Sequence, residues 1–265
     1  MDIINSDEPQ ADRFVAILGA LHRELVYIRS QVRIQHKDSR EGVRFWIGDH
    51  GSRRIILVQT GVGPAQAQHA ARVILSSFPV EVLISVGFAC ALKSEMKIGD
   101  LVVGESSSFL NQPHLGSYTA DGRLLVFADE VSEKFGSSSL RPASIFRGPI
   151  LTVQQIMVTA AEKRTLADTT GAIAVDMESA AIAAAAVDAK VAYLSIRTIS
   201  DLVDEDLESV AKFLSPEGNL RPLKGVLYLL SHPIDVVHLN RLRIHTAVAS
   251  KRLGCFIHDY LHRFN

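Results

Sequence analysis

Apolar residues gather into short, nearly unbroken runs that alternate with alanine-rich stretches. Residues 14–18 (FVAIL), 55–59 (IILVQ) and 82–86 (VLISV) are such runs, and their length and β-branched content predict strands covered on both faces. Between the last two, residues 64–75 (PAQAQHAARVIL) predict a helix. Residues 101–104 (LVVG) follow a turn at Gly99 and Asp100 and continue the series. Farther on, 172–175 is a short apolar run after Gly171, 179–187 (SAAIAAAAV) predicts a helix of good helix formers, and 191–199 (VAYLSIRTI) predicts another buried strand. Strands alternating with helices imply an α/β fold, a three-layer α/β/α sandwich on a central mixed, twisted sheet. Residues 106–147 are rich in serine, glycine and proline with weak periodicity, so loops and short strands are expected there. Near the end, Leu253, Phe256, Ile257, Tyr260 and Leu261 fall at i, i+3, i+4, i+7 and i+8, the stripe of an amphipathic helix.

Composition limits the partners more than the fold. A chain of 265 residues with 47% hydrophobic content can bury one full α/β core. The expected organisation is a tail at 1–12, a catalytic domain at 13–219, and a basic amphipathic helical extension at 220–265 packed on that domain. A formal net charge of −1 gives no general argument for nucleic acid as a partner. Cys90 and Cys255 provide neither a disulfide framework nor a metal-ligand spacing, so a reducing cytoplasm is expected. The first dozen residues are polar and acidic, unlike a signal peptide. No apolar run reaches the length of a membrane span.

Candidate chemistry concentrates in residues 171–201, GAIAVDMESAAIAAAAVDAKVAYLSIRTISD. Glu178 stands at the mouth of the predicted helix, where an acid can accept hydrogen bonds from sugar hydroxyls. Asp201 ends the following strand, and open α/β sheets bind ligands at the carboxyl ends of their strands. Plainer readings exist: Glu178 as a first-turn acid favoured by the helix dipole, Asp201 as a helix N-cap. Gly61 and Gly63 of TGVGPAQA lie between a strand and a helix, so their N–H groups either face a polar ligand or make a tight turn. Cys90 reads as a small buried residue rather than a nucleophile, since no histidine accompanies it in its stretch.

VDMES followed by SIRTISD resembles the purine nucleoside phosphorylase and methylthioadenosine/S-adenosylhomocysteine nucleosidase superfamily. The resemblance recurs in order in AILGALHREL (16–25), VQTGVGPAQAQHAARVIL (58–75) and ISVGFACALKSEMKIGDLVVGE (84–105), covering roughly residues 14–203. It implies that Thr60 and Gly61 line the sugar or nucleophile side of a pocket. GFACA at 87–91 matches a loop under purine and ribose, bringing Ala89 and Cys90 there; Cys90 and Ala91 stand where many nucleosidases have a glycine pair. Ile156 and Met157 of ILTVQQIMV match the segment that stacks on adenine, without its usual aromatic. Met177 would pack on the sugar, Glu178 would hold the ribose 2′ and 3′ hydroxyls, and Asp201, oriented by Ser200, would stabilise the leaving purine near N7.

Glu24 of GALHRE aligns with the last acid of a GAMEEE-like nucleosidase segment that positions the attacking water, with Arg197 nearby in the family arrangement. Its plainer reading is a glutamate on an amphipathic helix. Phosphorylases instead have arginines shortly after the first strand and just before the glycine of the third-strand loop. Here the first position holds Arg23 inside a nucleosidase-like segment, and the second holds Ser85. The resemblance thus implies hydrolysis of the N-glycosidic bond of a purine nucleoside, adenine first, with a 5′-substituted ribose. Phosphorolysis and a non-catalytic nucleoside-binding or storage role stay open as alternatives. It implies no metal and no organic cofactor, and a homo-oligomer, most simply a dimer.

The segment 220–265 carries seven Lys or Arg against two Asp, and five of the ten histidines. Its apolar stripe suits packing on the domain or on a second subunit, or contact with a membrane surface or lipid-like substrate tail. RPLKGVLYLLSHP and GFACAL resemble the hopanoid-associated members of the superfamily, which remove adenine from an adenosylated hopane. The five histidines are read as lacking zinc spacing, so a solvated or packed role is expected for them rather than a metal site.

Overall fold

The computed structural model describes residues 13–135, 143–155, 157, 159–206 and 233–264. The expected tail at 1–12, Ile156, the boundary at 219/220 and nearly all of RPLKGVLYLLSHP lie outside them. The chain begins with β1 (Phe14–Gly19), α1 (His22–Arg29), β2 (Arg33–Arg40), β3 (Val43–His50), β4 (Arg53–Gln59), α2 (Pro64–Ser77) and β5 (Val80–Ala91). It continues through β6 (Leu101–Phe109), β7 (Ser117–Thr119), α3 (Gly122–Phe135), β8 (Ile145–Thr152) and α4 (Ala160–Thr170). Then come β9 (Ala174–Asp176), α5 (Ser179–Asp188), β10 (Ala192–Asp201) and α6 (Pro233–Leu261).

The architecture is the expected α/β sandwich on a mixed sheet. Strand β1 is buried along its whole length, and its side chains alternate between two cores. Val15 and Ile17 join Ile55, Leu57, Val82 and Ile84 beneath α1, α3 and α6. Phe14, Ala16 and Leu18 join Ile56, Val58 and Leu83 beneath α2 and α5. The alanines of α5 are buried almost throughout, which lets that helix lie close on the sheet.

Pairing explains where a site can form. Strand β1 runs parallel to β4 and β5, and β5 runs parallel to β10. Beyond them β10 pairs β6, β6 pairs β8, β8 pairs β9, and β9 returns to β5, so this end of the sheet curls shut. The register places Asp201 and Val175 both opposite Cys90, and Asp176 opposite Thr152. Four strand ends thereby meet at one rim. At the other end the sheet finishes in β2, a nearly all-exposed RIQHKDSR strand whose charges blunt an otherwise open edge.

Two expectations are corrected. Residues 106–147 contain the regular 14-residue helix α3, not only loops and short strands. Leu124, Leu125, Ala128 and Val131 are its buried face, a helical spacing masked by the serines and glycines flanking it. The terminal stripe is not open to a membrane: Leu253, Phe256, Ile257, Tyr260 and Leu261 are buried in the domain's own core, and Tyr260 Oη donates to the Leu124 carbonyl at 2.9 Å. Among the described residues no helix is long and apolar enough to cross a membrane.

Candidate active site

A cavity of about 250 Å³ opens at the carboxyl ends of β1, β5 and β10, just below the ~300–1,000 Å³ usual for small-molecule sites. Glu24 reaches it from the first turn of α1 and is buried. One carboxylate oxygen accepts from the Leu21 N–H at 2.7 Å and the other from the Phe88 N–H at 2.9 Å. Each oxygen keeps a further lone pair for a ligand or water. Burial raises the Glu24 pKa, against those backbone donors and the charge of Arg197. Gly87 is part of this arrangement, because a Cβ there would lie 2.8 Å from Glu24 Oε1. The plain surface-helix reading of Glu24 does not hold.

Glu178 occupies the N-cap position of α5 but makes no side-chain cap bond. Its Oε1 instead accepts from the Gly63 N–H at 2.8 Å, and Gly63 has φ 99°, a left-handed conformation that favours glycine. Burial first, then the nearby charges of Asp176 and Glu24, push the Glu178 pKa up to about 8. The glycine loop therefore contributes through Gly63, with Val62 in the cavity wall. Thr60 and Gly61 are outside the lining; their N–H groups tie the loop to Gly19 and Ala20, at 2.9 and 3.2 Å.

Asp201, another acid of the lining, stands at the end of β10. Its Oδ2 accepts from Lys163 Nζ at 2.6 Å, while its Oδ1 is buried without a partner among the described residues. Lys163 comes from α4, is fully buried, and also donates to the Leu202 and Glu205 carbonyls at 2.9 and 2.6 Å. Burial raises the Asp201 pKa and outweighs the opposing pull of Lys163, leaving it at about 6. Ser200 lines the cavity, yet the group that holds Asp201 is Lys163. Lys163 and Leu166 share the buried face of α4.

Arg197 was expected beside the attacking water, but it is buried beneath the cavity and not in its lining. Its Nε donates to Asp176 Oδ2 and its Nη2 to Ser85 Oγ, both at 2.7 Å. Asp176 also accepts from Thr152 Oγ1 at 2.7 Å and from the Ser179 N–H and hydroxyl at 3.0 and 2.5 Å. With its carboxylate so engaged, Asp176 anchors the turn that carries Met177 and Glu178. Ser85 thus faces Arg197, and Arg23 turns away to Thr246 on α6 at 3.3 Å.

Apolar walls complete the site. Phe88, Ala89, Cys90, Val153, Met157 and Met177 line it, with Leu242 of α6. Phe88 of β5 is the one aromatic residue in the described lining, whereas the expected place for an aromatic was beside Met157. Burial and the neighbouring Asp201 charge push the Cys90 thiol well above its usual range, which keeps it from serving as a nucleophile. Among the described residues, the three side chains grouped closely enough to share a metal are His50, His258 and His262, outside this cavity.

The phosphorylase superfamily model matches residues 14–220. A 5′-methylthioadenosine/S-adenosylhomocysteine nucleosidase of Aeromonas salmonicida is 28% identical over 221 residues, 77% of this chain and 93% of that protein. The fold is shared with the nucleosidase of that name from Neisseria meningitidis, solved with methylthio-immucillin-A, at TM-score 0.75 and 19% identity over 95% of this chain and 99% of that one. It is shared equally with a futalosine hydrolase of Helicobacter pylori, at TM-score 0.74 and 18% identity over 95% of this chain and 98% of that one. Two different activities on one fold leave the substrate to be argued from the site.

Proposed function

The chain belongs to the phosphorylase superfamily, and on that footing we propose that it hydrolyses the N-glycosidic bond of a purine nucleoside with a 5′-substituted ribose, adenine being the base. One observation carries the choice of water: the described lining holds Glu24, Asp176, Glu178 and Asp201 and neither lysine nor arginine. A phosphate dianion needs fixed cations or a cluster of donors, whereas an acid-lined pocket without such cations suits an uncharged water as the nucleophile.

As the C1′–N9 bond stretches, electrons move to the purine and the sugar becomes cationic. Protonated Asp201, its Oδ2 held by Lys163, presents Oδ1 to N7 and gives its proton to the leaving base. Glu178 accepts from the ribose hydroxyls. Glu24 takes a proton from water as the oxygen bonds to C1′, and solvent exchange restores both acids. Each acid–base contribution is worth about 10²–10⁴ in rate. Arg197 is a positioning residue that acts through Asp176.

The acid role has a sign in pH. A general acid with a pKa of about 6 loses its proton as pH rises, so kcat/KM should fall as pH rises through that value in the free enzyme. Lys163 lowers the Asp201 pKa, so Lys163→Met should move this alkaline limb to higher pH. A limb that stays in place or moves down would contradict the assignment.

The substrate is tested by incubating the protein with adenosine, its 5′-methylthio and homocysteinyl forms, an adenosylated hopane, and guanine and hypoxanthine nucleosides. Free adenine from a 5′-substituted member, faster than from adenosine, is expected. The hopane belongs in the panel because Phe88, Ala89 and Cys90 of GFACAL line the cavity. Release of no base from any member would sink the enzymatic reading in favour of a binding role.

A further inference from the structure

Three histidines meet at the opposite end of the strands from the cavity. His50 ends β3 and pairs with Arg53 at the start of β4, whereas Glu24 follows Gly19, which pairs with Gln59 at the other end of β4. His258 lies in the last turn of α6 and His262 just past its end, four residues on, the spacing that sets two imidazoles on one helical face. Ring centroids are 5.4 Å apart for His50 and His258, 4.9 Å for His50 and His262, and 4.7 Å for His258 and His262. One ligand nitrogen of each lies within 4.8 Å of the other two.

The hydrogen bonding is incomplete in an informative way. His50 is 5% exposed, and its Nδ1 lies 3.2 Å from the Gln31 carbonyl oxygen. A carbonyl only accepts, so Nδ1 bears the proton of the neutral ring and Nε2 is a bare lone pair. That Nε2 is buried without a partner among the described residues, as is His258 Nδ1. A buried polar atom left unpaired costs free energy unless a ligand takes it.

We propose that His50, His258 and His262 bind one divalent d-block cation, zinc in the first instance, fastening the end of α6 to the β3–β4 hairpin. Imidazole nitrogens suit zinc and its neighbours rather than magnesium or calcium. The Gln31 carbonyl supplies the outer hydrogen bond that orients a metal-bound histidine, and exposed His262 leaves the fourth position to water. Zn–N bonds of about 2.0–2.1 Å in a tetrahedron put nitrogens ~3.3 Å apart, so each ring moves by less than about 1 Å. The terminal segment read alone offers the His258 and His262 pair, a zinc-ligand spacing that the reading of its histidines as lacking one missed, and the third ligand comes from β3.

The test uses the full chain without a histidine tag, stripped with chelator and titrated with Zn²⁺ alone. About one zinc per chain, with a raised Tm, is expected. His262→Ala, at an exposed position, should weaken binding by at least the ~10–100-fold that loss of an outer partner alone costs. His50→Ala should do the same, while His69→Ala, at an unrelated surface histidine, should not. No bound zinc in the parent protein, or equal zinc affinity in the parent and His262→Ala, would overturn the proposal.

Discussion

Asp201→Asn is expected to lower kcat/KM by about 10²–10⁴-fold in a protein that still folds. The amide keeps the size of the carboxyl and can hydrogen-bond N7, but it has no proton to give. The buried ammonium of Lys163 loses its charged partner and, among the described residues, retains the Leu202 and Glu205 carbonyls. Removing one member of a buried pair commonly costs about 3–5 kcal/mol, so Tm should fall as well. The double variant Asp201→Asn with Lys163→Met separates the two effects. It should regain Tm and stay inactive; recovery of activity together with Tm would show that Asp201 matters only for folding.

Glu24→Gln should lower kcat by a similar ~10²–10⁴-fold. The carboxylate accepts from two backbone donors, Leu21 N–H and Phe88 N–H. An amide offers one acceptor oxygen and turns its NH2 group against the other donor, so both basicity and orientation suffer. Because the lost interaction forms with the attacking water in the transition state, kcat and kcat/KM should fall together with KM little changed. Steady-state kinetics on the substrate chosen by the panel gives both. A rise in KM with unaltered kcat would reassign Glu24 to substrate binding.

What could be read from sequence follows from how each feature is encoded. The central strands carry their burial in their own composition, so the apolar runs at 14–18, 55–59 and 82–86 lie within β1, β4 and β5. Edge strand β2 is exposed and charged, and nothing in its composition separates it from a loop. Glu24, Glu178 and Asp201 were legible as candidates because each stands at or shortly after the end of an expected strand or at the start of an expected helix, and the structure brings all three into one cavity lining. Lys163 was not, since a lysine in a helix ordinarily faces solvent, and only the tertiary fold brings it under Asp201. Arg197, expected beside the attacking water, directs its guanidinium to Asp176 and Ser85, partners that depend on the β5–β10 register. Phe88 was not legible either, because it is the curled sheet that brings β5 to the same cavity as the segment holding Met157.

The central claim is that water, not phosphate, attacks C1′. Turnover of a 5′-substituted adenosine followed by phosphorus NMR in phosphate buffer, beside the same reaction in phosphate-free buffer, tests it most directly. Free sugar should form at the same rate in both, with no sugar 1-phosphate signal. Appearance of sugar 1-phosphate, together with adenine release that stops when phosphate is removed, would contradict it.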